Sequence, residues 1–430
     1  MFQKVLVANR GEIAVRIIEA CHALGIQAVA VYSTVDEHAS FVKLADESVC
    51  IGTGSASESY LNREAVLMAG IIKQCDAVHP GYGFLSEDPL FAQMVAECKM
   101  TWIGPQSELI KEFADKESSR RWAEERNVPT IPGSELITST ENLLVQAKQI
   151  GFPLLIKASF GGGGKGIRCI ESMDELVPEF KSVQQEATAS FGVSPVYLEK
   201  DLSDARHIEV QVLGQHNVIY NLGTRNCSLQ LHRQKVVEES PADLTTEQQA
   251  ELDQLVHRLL DDTHYNNLGT VEFLFADNHF YFLEMNTRLQ VEHGVTEETT
   301  GLDIVQMQIK VAADVNLKLV PITFKQHAIE VRLSALTPGT LSKFTWPDKD
   351  VRVDTGMQVG DQVTAYYDPL IAKIIVTGSS RSEAVEKLQS VLDNVEVLGI
   401  KTNLDTLKTI SKNDQFINGT YDIDSLSKMF

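Results

Sequence analysis

The stretch from Gly269 to Glu298, GTVEFLFADNHFYFLEMNTRLQVEHGVTEE, sets the terms for the rest of the chain. Val271, Phe273 and Phe275 alternate with Glu272 and Leu274, which is the period of a strand. Asp277-Asn278-His279 reads as a short turn, and a three-residue turn there sets Glu272 opposite Glu284 on one face of a hairpin. Two carboxylates directly across a ladder repel each other, so a chain that keeps them has something positive to place between them. Divalent magnesium or manganese fits, because hard cations prefer oxygen ligands. The plainer alternative is an exposed hairpin whose carboxylates face water. If Met285 to His293 continues extended, Asn286, Arg288, Gln290 and Glu292 point one way and Thr287, Leu289 and Val291 the other. A row of amide, guanidinium, amide and carboxylate suits a ligand better than a core. Arg288 can hold a small planar anion with its fork of donors, and Glu292 is then placed to take a proton from it.

At 430 residues the chain exceeds one simple core, which predicts two or three domains. The formal net charge of −21 argues against a nucleic-acid partner, since a phosphate backbone would be repelled. Any bound anion must therefore sit at a local positive site. Cys21, Cys50, Cys75, Cys98, Cys169 and Cys227 show no CxxC pairing, which argues for a reducing cytosol rather than zinc or disulfides. No apolar run is long enough to span a bilayer, and MFQKVLVANRGE lacks the apolar core of a signal peptide. The expectation is a soluble, cytoplasmic protein without a membrane partner.

Along the chain, strands at Lys4–Ala8, Gln27–Tyr32 and Glu47–Ile51 alternate with helical spacing, which predicts a parallel, doubly wound sheet. The G-x-G-x-x-G fingerprint is absent, so NAD is not expected. Tyr82, in HPGYGFLSE, lies where such folds carry ligand groups. Ser107–Glu125 reads as one long helix containing Asp115-Lys116, with Lys116 either exposed or a phosphate contact. Pro129, Pro132 and Gly133 mark a connector. A helix at Thr140–Ile150, capped by Ser139 or Thr140, precedes a strand at Phe152–Ala158 that carries Lys157. The run Gly161-Gly162-Gly163-Gly164-Lys165-Gly166 follows; it is not a Walker loop, but its amides can approach phosphate oxygens closely. Residues 131–203 thus read as a lid inserted into a larger body. Arg206–Leu213 is a strand with His207 and Glu209 on one face, and Asn226–Glu239 concentrates basic and amide groups in an acidic chain. Thr246–Thr263 and Ser382–Val395 have helical spacing, and Ala328–Val376 reads as strands with Arg332 in the first.

These residues assemble into a recognisable set. VLVANRGEIAVRI from Val5, HPGYGFLSE from His79, GGGGKG from Gly161, RHIEVQVL from Arg206, QKVVEE from Gln234, EMNTRLQVEH from Glu284 and GIKTN from Gly399 resemble the biotin carboxylase component of biotin-dependent carboxylases, in the ATP-grasp superfamily. The resemblance implies mixed α/β and α+β structure. It comprises an N-terminal Rossmann-like domain over 1–114, an ATP-grasp domain over 115–320 with a mobile lid near 131–203, and a biotin carboxylase C-terminal domain over 321–430. It implies a ligase that converts ATP and bicarbonate to carboxyphosphate and ADP, then carboxylates biotin on a carrier protein. Lys116, Lys157 and Gly162, Gly163 and Gly164 would hold ATP phosphates. Glu199, Lys200 and Leu202 would line the adenine and ribose pocket, with His207, Gln230 and Arg233 nearby and Leu274 under the base. Glu272, Glu284 and Asn286 would bind two magnesium or manganese ions. Lys235, Arg288, Gln290 and Val291 would cradle bicarbonate, with Glu292 as base. Arg332 would stabilise the biotin enolate, and Tyr82 would sit at the biotin pocket with Arg288. A separate biotin carboxyl carrier protein, a carboxyltransferase and a homodimer are implied, with acetyl-CoA carboxylase as the foremost setting.

Three departures stand out. Gln230-Leu231-His232-Arg233-Gln234-Lys235 replaces the family's Gln-Arg-Arg-His-Gln-Lys, so Arg233 stands where the family has histidine. The segment between Arg332 and Pro338 is roughly a dozen residues short. His293-Gly294 replaces His-Pro, which predicts a looser turn after Glu292. The competing readings are another ATP-grasp ligase that activates a different carboxylate, and a nucleotide-binding regulatory paralogue with little turnover.

Overall fold

Five short apolar strands, β1 (Lys4–Val7), β2 (Gln27–Ser33), β3 (Glu47–Gly52), β4 (Ala77–His79) and β5 (Thr101–Trp102), lie parallel in the order β3-β2-β1-β4-β5 in the computed structural model. The structure describes residues 1–158, 167–191, 196–202, 204–231, 234–319 and 322–430. Both faces of this sheet are covered. Ile13, Ile17 and Ile18 of the helix Gly11–Ala23 pack on one side, while Val66, Leu67, Phe91 and Val95 of two later helices pack on the other. Runs such as Val5-Leu6-Val7 are buried on both faces, as a parallel sheet requires.

A three-stranded antiparallel sheet of β6 (Leu154–Ala158), β7 (Ile167–Ile170) and β8 (Val196–Lys200), in the order β7-β6-β8, builds its own core from Leu143, Leu154, Ile156, Val183 and Leu198. The largest sheet is antiparallel. It contains β9 (Arg206–Gln215), β10 (Val218–Leu231), β11 (Gln234–Ser240), β12 (Asn267–Ala276), β13 (His279–Asn286), β14 (His327–Ser334), β15 (Arg352–Asp354) and β16 (Leu370–Gly378). Their order is β13-β12-β9-β10-β11-β14-β16-β15. No helix among the described residues is long and apolar enough to cross a membrane, and the six cysteines are free thiols.

Four local expectations need correction. The helix expected over Ser107–Glu125 breaks at Asp115, where the backbone is extended and the carboxylate caps Ser118 N, giving Ser107–Ala114 and Lys116–Glu125. The hairpin turn holds two residues, Asp277 and Asn278, both at positive φ as a tight hairpin demands. A register shift between Glu272 and Phe273 then restores the expected pairing of Glu272 with Glu284. The extended run stops at Asn286 rather than reaching His293: Val291 and Glu292 form a turn, and a helix spans His293–Thr300. Gly294 accordingly lies in a helix and does not loosen a turn; a Cβ there would press on Ile375 Cδ1.

Candidate active site

Neighbouring strands of the large sheet carry a lateral row of charges. Glu284 of β13 faces Glu272 of β12, Glu272 faces Glu209 of β9, and Glu209 faces Arg225 of β10. Alternation turns these side chains to one face, and the helix His293–Thr300 helps to cover it, since Thr296 Oγ1 accepts from Arg225 Nη1 at 2.9 Å. Arg225 is fully buried and also binds Glu209, Gln211 (2.7 Å) and Thr270 (3.2 Å). From β11, Lys235 Nζ reaches Glu209 (2.6 Å), Glu272 (2.9 Å) and Glu292 (2.7 Å), using all three of its donors. Burial opposes the ammonium charge, but Glu209, Glu272 and Glu292 together raise its pKa well above the ordinary lysine value.

Glu292 is the meeting point. It is fully buried in the turn before the helix, and its second oxygen accepts from Arg332 Nη2 of β14 at 3.0 Å. Burial works against its charge, but Lys235, with Arg332 and Arg225, outweighs it and holds the carboxyl below its ordinary range. Arg332 Nε also donates to Glu238 of β11 (2.6 Å), whose pKa burial pushes up to about 7.

Arg288 lies in the irregular segment after β13. Its guanidinium donates to Glu87 (2.9 Å), Asn286 Oδ1 (2.7 Å) and Gln290 Oε1 (3.1 Å). Gln290 and Asn286 in turn donate to Glu272 Oε1, at 3.3 and 2.8 Å. The alternation expected for this row therefore survives in part without a strand: Gln290 and Glu292 reach the charged cluster, whereas Leu289 is buried in the core beneath the parallel sheet. The Val291 side chain is partly buried, and its carbonyl accepts from Lys373 Nζ at 2.9 Å.

A hard divalent ion suits the Glu272–Glu284 pair. Burial and the facing Glu272 charge raise the Glu284 pKa, a repulsion that a cation between the two would relieve. Glu272 is instead held down against burial by Lys235 and His207, whose Nε2 lies 2.8 Å away. Asn286 turns its amide nitrogen to Glu272, so the two carboxylates carry the argument for metal. His207, Glu209 and Glu272 also bring donor atoms within 4.8 Å of one another, but Lys235 already bonds both of those carboxylates.

The residues assigned to the nucleotide fall into two groups. Leu202 and Leu274 share a small apolar cluster with Ile131, Ala205 and Ala276. On the three-stranded sheet, Lys157 Nζ bonds Glu199 Oε2, and Lys200 Nζ donates to Phe152 O at 2.8 Å. Lys116, exposed at the first position of its helix, sends positive potential towards Glu284. His207 lies among the carboxylates, with Gln230 Nε2 2.9 Å from its Nδ1. Gly162, Gly163, Gly164 and Arg233 lie outside the described residues. Tyr82 is partly buried, and its hydroxyl bonds Glu12.

Sequence reasoning missed Arg225, Glu87, Glu238, Glu12 and Lys373. Glu87 ends the HPGYGFLSE run and Glu238 follows the two valines of QKVVEE, so a carboxylate just after an apolar stretch was the available signal. Arg225 and Lys373 are unannounced, being single charges within strands that otherwise read as core.

The family descriptions that match are "Biotin carboxylase, N-terminal domain" over residues 1–110, "Carbamoyl-phosphate synthase L chain, ATP binding domain" over 115–320 and "Biotin carboxylase C-terminal domain" over 332–428. The biotin carboxylase of Nostoc sp. is 41% identical over 444 residues, covering 100% of this chain and 99% of that protein. The human mitochondrial propionyl-CoA carboxylase alpha chain is 42% identical over 446 residues, covering 100% of this chain and 61% of its own length. Among solved structures, the dimeric biotin carboxylase domain of Hydrogenobacter thermophilus 2-oxoglutarate carboxylase, crystallised with MgADP, ADP and bicarbonate, has a TM-score of 0.93 at 40% identity, covering 100% of this chain and 98% of that one. Three family segments and full-length relatives place this chain in the biotin carboxylase family, a family of ATP-grasp ligases.

Proposed function

We propose that the chain carboxylates biotin on a carrier protein, using ATP and bicarbonate, as the biotin carboxylase subunit of an acyl-CoA carboxylase, with acetyl-CoA carboxylase and fatty acid synthesis as the setting. The observation that carries the reading is the Glu292 carboxylate, fully buried and ionised between Lys235 and Arg332. An isolated anion there would be costly, so the cluster is built to keep one proton acceptor charged in a dry place.

Arg288, with Lys235 and the Gln290–Val291 segment, would hold bicarbonate beside Glu292. Glu292 removes its proton and makes a weak nucleophile stronger. The anion then attacks the terminal phosphorus of ATP, held by Lys116, Lys157 and the Gly162–Gly164 run, and carboxyphosphate and ADP form. Leu202 and Leu274 face the adenine, with Glu199 and Lys200 at its polar edge and His207, Gln230 and Arg233 nearby. Magnesium or manganese held by Glu272 and Glu284, with Asn286 beside them, would neutralise phosphate charge during transfer. Arg332 donates to the ureido oxygen of biotin where negative charge grows, and Tyr82 borders that pocket.

In this reading the chain divides into 1–114, 115–320 and 321–430. The separately cored segment 131–203 closes over ATP and excludes water. A homodimer, a biotin carboxyl carrier protein, a carboxyltransferase and a cytoplasmic setting complete the assignment. The test is ADP release measured with bicarbonate and free biotin each added or withheld. Turnover that needs both supports the reading, and turnover indifferent to bicarbonate favours an ATP-grasp ligase acting on another carboxylate.

A further inference from the structure

Lys373 of β16 is fully buried and touches neither Glu292 nor any group assigned to ATP. Its three ammonium donors face three oxygens on three separate pieces of chain. The nearest is the backbone carbonyl of Val291 at 2.9 Å; Glu12 Oε1 follows at 3.2 Å and Asp354 Oδ2 at 3.4 Å. Each of those oxygens leads elsewhere. Val291 immediately precedes Glu292. Glu12 Oε1 also accepts the hydroxyl of Tyr82. Asp354 pairs with Arg352, which binds Glu297 (2.8 Å) and Glu298 (3.1 Å) on the helix that follows Glu292.

We propose that Lys373 is a positioning residue of the carboxylation site: it holds the Gln290–Glu292 turn from behind and, through Glu12, ties that turn to the Tyr82 hydroxyl. The bicarbonate-facing and biotin-facing walls then share one buried cation and move as a unit. This rests on the functional reading above, which puts bicarbonate at Val291 and Glu292 and biotin at Tyr82. A buried lysine needs compensation, and Glu12 and Asp354 alone would supply it. The shortest contact nonetheless goes to a neutral carbonyl in the loop that carries the base. A point donor with three N–H groups can satisfy both carboxylates and still reach that carbonyl. Coupling through such a link is reciprocal, so loosening it weakens both substrates together.

The test uses the full chain and two variants. Glu12→Gln/Lys373→Met removes both charges at once, so neither is left buried and unpaired, and it cuts the Lys373 contacts to Val291 and to residue 12, which join the turn to Tyr82. Lys373→Arg keeps the charge but replaces the point donor with a planar fork; it serves if the double variant does not fold. The expected result is a rise of about tenfold in KM for bicarbonate and for biotin alike, with KM for ATP unmoved. Hydrogen exchange at the Leu289–Val295 amides should also quicken by about tenfold, while exchange in β10 stays unchanged. Lys373→Arg shifts the same constants in the same direction by less. If the wild type cleaves ATP in response to bicarbonate and biotin, yet a folded variant keeps both KM values within about twofold and exchange in the turn is unmoved, Lys373 is only a structural ion pair and the inference falls alone. If the wild type gives no such response, the functional reading falls and takes the inference with it.

Discussion

Glu292→Gln is the sharpest perturbation of this site, because it changes one charge and almost no volume. In the protein, Lys235 and Arg332 each lose an anionic partner, at 2.7 and 3.0 Å. Neither is left alone: Lys235 keeps Glu209 and Glu272, and Arg332 keeps Glu238. The amide offers one acceptor oxygen in place of two, so one cation keeps a hydrogen bond and the other faces an NH2 that cannot accept; losing that charge-assisted bond costs about 1.5–3 kcal/mol. Relief of the repulsion between Glu292 and Glu209 offsets part of that. The variant should therefore fold, with a thermal midpoint a few degrees below wild type. Catalysis should respond far more. Losing a positioned base costs about a hundredfold to ten-thousandfold in rate, which is about 3–5.5 kcal/mol of barrier. The assay is bicarbonate- and biotin-dependent ADP release, with KM for ATP measured in parallel. That KM should hold, since none of the Glu292 contacts belongs to the nucleotide group. A folded Glu292→Gln protein that cleaves ATP within about threefold of the wild-type rate would refute the assignment of the base.

Gly294→Ala presses a methyl on the buried Ile375 Cδ1 and sets it 3.3 Å from Glu330 Oε2. It should destabilise by about 1–3 kcal/mol in denaturant titration, and adding Ile375→Val should recover part of the loss. Asp115→Ala removes the cap on Ser118 N and should cost about 1 kcal/mol by the same measurement. Because Lys116 begins that helix, KM for ATP should rise as well. Glu238 has its pKa raised to about 7 by burial, so its stabilising contribution is complete below the ordinary carboxylate value and is lost as pH rises through about 7. Glu238→Gln should accordingly flatten the fall in thermal midpoint between about pH 4.5 and about pH 7; an unaltered fall would contradict the assignment.

The hairpin was legible because its information is local. Alternation around Val271, Phe273 and Phe275 marked the strand, and Glu272 does face Glu284. The expected route to that pairing was wrong: a two-residue turn plus a register shift gives the same offset as a three-residue turn. Periodicity cannot separate those solutions. It also could not show that Asp115 prefers to cap Ser118 N rather than continue a helix, since the apolar spacing runs on past it. The charged row was out of reach for another reason. Glu209, Arg225 and Lys235 meet Glu272 and Glu292 only through sheet pairings and a turn, with bonded partners up to 57 residues apart. Nothing in the sequence around one partner encodes the other. The resemblance supplied several of these roles by position, but not the geometry that makes Lys235 a three-way clamp.

The eight-stranded sheet runs without interruption from the hairpin that carries Glu272 to the strands that carry Arg332 and Lys373. Val237 of β11 sits opposite Val331 of β14, so the join between the second and third family segments is a ladder in mid-sheet. A chain severed just ahead of His327 would bare two raw strand edges, each inviting adhesion to the wrong neighbour. The two pieces are therefore not interchangeable building blocks: transplanting the C-terminal segment from a relative carries with it the obligation to match the edge of β11.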